Sequence, residues 1–181
     1  DTLEEVASTV NQQSSNEEIA SLKKFFKEEQ IKTENRLRKP DGTIILNSAF
    51  VHQLRIKPNN EVLFAGNTLA TDYKTAIVNY LRESQANNPK DHPQAIYIKY
   101  SAEAKEEIIL QVLKDIKDAF DILRSEYSAQ GVKDIESICP YWVAIEGGYK
   151  YYPDGIEITF TSADNSKTEV LHELNRKKYK E

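Results

Sequence analysis

The chain has 181 residues, of which 39% are apolar, enough for one domain with a real hydrophobic core and something added at each end. Its 24 basic and 29 acidic side chains leave a net charge of -5 with no long basic stripe, so phosphate binding lacks its usual driving force and nucleic acid is not an expected partner. The single cysteine excludes an internal disulfide, and no run of about 18 apolar residues is present to span a bilayer.

Methionine is absent, the initiator included, and no signal-peptide pattern begins at Asp1, so a processed or truncated piece is expected. The opening stretch, residues 1–42, is dense in charge and places Ile19, Leu22 and Phe26 at helical spacing after a cap at Ser15 or Asn16. It reads as a helix with a narrow apolar stripe, either lying solvated against the edge of the domain or forming a stalk from a membrane anchor. "KPDG", residues 39–42, is a turn in which proline presets one backbone angle and glycine supplies the positive one. The folded core is expected to start just after it.

In "FVHQLRIKPNNEVLFAGN" a two-residue period puts Phe50, His52, Leu54 and Ile56 on one face, with Val51, Gln53, Arg55 and Lys57 on the other. Pro58, Asn59 and Asn60 make a turn, Val62, Leu63 and Phe64 return, and Gly66-Asn67 ends the hairpin with a second tight turn. His52, on the apolar face, reads as a core histidine with a satisfied ring nitrogen; His92 and His172 lack companion carboxylates at metal-binding spacing. Thr71 or Asp72 caps a helix whose Tyr73, Ile77, Tyr80 and Leu81 share a side, and "NNPKDHP" stops it.

"QAIYIKY" alternates Ile96, Ile98 and Tyr100 against Tyr97 and Lys99 and predicts a short strand. The strongest local signal follows. Ile109, Val112, Leu113, Ile116, Phe120, Leu123 and Tyr127 keep one helical stripe, and Gly131 stands where a C-terminal cap belongs. Residues 142–145 predict a strand stopped by Gly147-Gly148, residues 156–161 a further strand, "SADN" a turn, and "KTEVLHELNRKKYKE" a final helix with a basic end. The order from Phe50 is hairpin, helix, strand, helix, strand. That predicts an α+β fold: a small mixed sheet covered on one face by two amphipathic helices, with added N- and C-terminal segments.

No catalytic constellation is recognisable, and the chain is not read as an enzyme. The nucleophile elbow, the P-loop and the dinucleotide fingerprint are all missing, and Gly147-Gly148 reads as a turn. Glu106-Glu107 and Asp115-Asp118 fall on the polar face of the long helix, where charge is solvation. Cys139 reads as a half-buried small apolar residue beside Pro140. No cofactor or metal is expected. Tyr141, Trp142, Tyr149, Tyr151 and Tyr152 crowd one stretch, as a contact surface or as a plug under a loop.

Residues 50–146 resemble the periplasmic domain of the ExbD/TolR family of biopolymer-transport proteins. The likeness is carried by "LRIKPNNEVLFAGN", the helix at 73–81, "AIYIKY", "ILQVLKDIKDAFDILRSEYS" and the ending "ICPYWVAIE". It is one of pattern and order rather than of invariant motifs. "SAEAK" stands where many members carry an Asp and a Tyr-Gly, and residues 147–181 have no counterpart in the short members.

The resemblance implies a periplasmic domain of a single-pass inner-membrane protein, driven by the proton-motive force through an ExbB/TolQ-like channel. It also implies dimerisation and engagement of a TonB- or TolA-like transducer or of peptidoglycan. It divides the chain into an N-terminal helical or stalk segment at 1–42, the family-like core at 43–146 and a strand-helix extension at 147–181. Proton coupling falls on no residue of this chain. The expected contact residues are Val62, Leu63 and Phe64 of the hairpin edge, with Tyr97, Tyr141 and Trp142. A secreted or surface-attached module that stacks glycan or peptidoglycan near Trp142 is the alternative.

Overall fold

The computed structural model describes residues 3–44, 50–87, 93–151 and 157–158, with side chains for 14–44, 50–87 and 93–149. Helix α1 (Leu3–Leu37) leads, and the tight turn after it is closed by Lys39 N–H donating to Thr43 O at 2.8 Å, with Gly42 at φ 87°. Strands β1 (Val51–Ile56), β2 (Val62–Phe64) and β3 (Asn67–Leu69) form an antiparallel meander. Ala65 and Gly66, both at positive φ, turn the chain from β2 into β3.

Helix α2 (Tyr73–Ala86) follows, then β4 (Ala95–Ser101), α3 (Glu106–Ala129), the one-turn α4 (Ile135–Ile138) and β5 (Val143–Tyr151). Asp72 caps α2 by accepting from Thr75 N–H at 3.1 Å. The sheet order is β3-β2-β1-β4-β5, with a two-residue β6 (Glu157–Ile158) antiparallel to the end of β5. β1, β4 and β5 run parallel. Two crossovers, β1 to β4 and β4 to β5, lead the same way along the sheet, and crossovers of the common right hand put their helices on one face. α2 and α3 pack against each other there, and the fold class is the expected α+β.

The register explains which side chains are buried. Leu54 lies opposite Ile98, and Ile98 opposite Ile145, so the helix-covered face gathers Leu54, Ile56, Ile96, Ile98 and Val143, each at 1% exposure or less. Ile77, Leu81, Val112, Leu113, Ile116 and Phe120 close over it from α2 and α3. The other face carries Gln53, Arg55, Leu63, Tyr97, Lys99 and Glu146, all half-buried or exposed, and no described helix covers it.

Several expectations change. Ser15 and Asn16 lie inside α1, which begins at Leu3; over its second half α1 lies against the edge of the domain, as one reading expected, but with its apolar stripe in the core rather than solvated. Phe26 is fully buried and Ile19 is 8% exposed, because α1 lies along α3 and β5 and completes the core on that side. β5 does not stop at Gly147-Gly148 but runs on to Tyr151 through a β-bulge opposite Tyr100 and Ser101, with Gly148 at φ 82° taking the extra residue. A boundary at 146/147 therefore falls within one strand. Asp115 is 8% exposed rather than solvated, with Gln111 Nε2 donating to it at 2.9 Å. Most of the strand expected at 156–161, the "SADN" turn, the C-terminal helix, Tyr152, His92 and His172 lie outside the described residues.

Candidate functional site

Of the six expected contact residues, the hairpin supplies the least surface. Val62 and Phe64 are 1% and 2% exposed because they point under the helices, and β2 is an inner strand with β3 outside it. Leu63 faces outward, half-buried beside Arg55. The expected edge at 62–64 is thus corrected: alternation sends two of its three side chains into the core, and three residues of β3 close its hydrogen bonds.

Trp142 is 7% exposed and Tyr149 1%, with the Tyr149 hydroxyl donating to Ile56 O at 2.8 Å. Neither ring offers a stacking platform. Tyr141 is half-buried and joins α1 to α3. Its ring meets Phe25 at 5.2 Å and Phe120 at 6.0 Å edge-on, Arg124 lies 4.4 Å from its centroid, and its hydroxyl donates to Asp121. Burial, then the bond to Asp121, pushes its hydroxyl up to about 12. Tyr97 stands on the open face, where burial and a hydrogen bond to Glu146 hold its hydroxyl above the ordinary tyrosine range.

His52 and Cys139 are both built into the core. His52 is 5% exposed, its Nε2 lies 2.7 Å from Gln94 Oε1, and Gln94 Nε2 donates to Leu81 O at 3.0 Å and to Gln85 Oε1 at 2.9 Å. Tyr80 and Phe64 meet its ring edge-on, and burial lowers its pKa below the ordinary 6.5, so the neutral ring donates to Gln94. Cys139 is buried, which pushes its thiol up to about 12. Among the described residues, no three His, Cys, Asp or Glu side chains gather as metal ligands.

Among the described residues, a groove in which backbone and charge converge lies along the outer edge of β5, with a volume of about 570 Å³. One wall is α1, through Lys23, Lys27 and Gln30; the other is β5 from Val143 to Gly147, with Tyr97 beneath. Ile96 N–H donates to Trp142 O at 3.0 Å, so even-numbered residues of β5 turn their main-chain groups to β4. The N–H and C=O groups of Val143, Ile145 and Gly147 consequently face the groove, and no described strand pairs with them. Lys23 donates to the Tyr100 hydroxyl and its ammonium stands 4.8 Å from that ring's centroid. Lys27 is exposed.

A second hollow, about 410 Å³, lies between the C-terminal ends of α2 and α3. Leu123, Tyr127, Val132 and Ile138 line it beneath the Arg82–Glu126 ion pair. Sequence reasoning passed over Lys23 and Lys27, because two lysines four apart on a charged helix read as solvation. Only the packing of α1 against β5 shows which way they face.

These features define a one-sided α+β sheet domain in which residues 143–147 of β5 have no described strand on their outer edge and two lysines of α1 stand beside them. Compared with known proteins, the chain matches no family model, no curated protein and no solved structure.

Proposed function

We propose that this chain is a periplasmic interaction domain of the ExbD/TolR kind, part of a proton-motive-force-coupled transport complex. It works as a homodimer, docks a TonB- or TolA-like transducer or peptidoglycan, and is held to an ExbB/TolQ-like channel by an inner-membrane helix upstream of Asp1. The observation that carries this reading is the hairpin-helix-strand-helix-strand order folded into a mixed sheet whose described helices all lie on one side. A strand face and an edge are left for contact, and strand addition needs no reacting side chain. No described helix is long and apolar enough to cross a membrane.

The test is isolation of the full-length protein from solubilised membranes with a photo-crosslinker at Lys27. Co-purification with the channel and a crosslink to the transducer are expected. Recovery of the protein without any channel subunit overturns the assignment.

A further inference from the structure

We infer that the groove between α1 and β5 selects an extended acidic peptide, taken up as a strand on the β5 edge with alternate carboxylates on Lys23 and Lys27. The observations are the outward main-chain groups of Val143, Ile145 and Gly147 on one wall and the two ammonium groups on the other.

The spacings agree. Residues four apart on a helix stand about 6 Å apart at Cβ, and alternate residues of a strand repeat at about 6.5 to 7 Å. A strand hydrogen-bonded to β5 therefore presents every second side chain to α1 at the interval of Lys23 and Lys27. The fitting pattern is Asp or Glu, any residue, then Asp or Glu. The intervening side chains point to the open face, beside Tyr97 and Ala144.

Charge supports the choice of occupant. Among the described residues neither lysine has a carboxylate within ion-pair distance. Glu146 also borders the groove, but its side chain is on the open face of the sheet with Tyr97, not on the α1 side where the two lysines stand. A basic peptide would meet two ammonium groups at close range; an acidic one gains charge-assisted contacts there in addition to the main-chain ladder.

The inference deepens the reading above only in taking the domain as a docking module, and its test needs no transport complex. Fluorescence anisotropy of the whole chain is measured at low salt with a short labelled peptide alternating valine and glutamate. Controls are the lysine counterpart and a glutamate peptide N-methylated at alternate residues. Binding of the glutamate peptide alone is expected, weakened about tenfold by Lys27→Glu and weakened again by added salt.

Equal binding of the N-methylated or lysine peptide overturns the proposal, as does an affinity indifferent to Lys27→Glu. Failure of the glutamate peptide to bind also overturns it, the chain's own residues 159–181 being the rival occupant of the edge. Lys23→Gln is the second variant, with circular dichroism confirming the fold, because Lys23 also supports Tyr100. A lost transport assignment with intact peptide binding would leave this inference standing, and the converse result would sink it alone.

Discussion

Tyr100 lays its ring across the backbone of Gly147, and a Cβ built there would approach its Cε1 to 2.6 Å. The ring cannot simply swing aside, because its hydroxyl is engaged by Lys23 and its face by the same ammonium. Gly147→Ala should therefore cost about 1–3 kcal/mol, the range of overpacking in a filled site, read as a lower urea midpoint at unchanged slope. In a Tyr100→Ala background the same change should cost almost nothing, since the clashing atoms are gone. Equal costs in both backgrounds would mean that the ring does not hold that place.

At this scale the sequence separated chemistry from packing well for His52 and Cys139, whose apolar neighbours and lack of companions announced structural roles. It misjudged Asp115, because hydrophobic periodicity does not show how far a polar position beside the apolar stripe is covered in the folded chain. It also read Gly147-Gly148 as a stop. A glycine that permits close approach and a glycine that ends a strand look the same until the partner ring is placed.

Helix α1 is the element whose role changed most between reading and structure. The stripe Ile19, Leu22 and Phe26 was visible, but it is narrow, and a narrow stripe suits a stalk as well as a packed helix. What decides is the partner surface: Phe25 meets Tyr141, Thr33 is 2% exposed, and Arg36 reaches Glu136 of α4 at 2.8 Å. Helix α3, in contrast, was legible end to end, since Ile109 to Leu123 supply buried positions through successive turns and Gly131 at φ 86° follows its close. β3 was not legible as a strand, because Asn67-Thr68-Leu69 has no apolar alternation and is set by the positive-φ turn before it.

If α1 belongs to the core, Phe26→Ala should lower stability by about 3–5 kcal/mol, the usual cost of deleting a buried phenylalanine. Ile31→Ala, at a position 48% exposed, should stay within about 0.5 kcal/mol. Urea unfolding followed by circular dichroism checks both. A small loss at Phe26 would return α1 to the status of a stalk.

Taken as a whole, the molecule distributes its stability unevenly, and the sheet order says how. β1 and β4 have a strand on each side and lie under α2 and α3, while β5 has β4 on one side and the groove on the other over residues 143–147. Buried, doubly paired strands open only with the whole domain, whereas an outward amide on an edge exchanges by local access to water. Amide hydrogen exchange should therefore alternate along β5: Ala144 and Glu146 protected through β4, Val143, Ile145 and Gly147 exchanging at least about tenfold faster.

The same pattern carries functional meaning, because an amide that water can reach is one that a peptide backbone can reach. Adding the glutamate-valine peptide should slow exchange at Val143, Ile145 and Gly147 selectively and leave β1 and β4 unchanged. Uniform protection along β5 in the unliganded chain would mean that its outer hydrogen bonds are already made. The open edge, and with it the strand-addition reading, would then have to be abandoned.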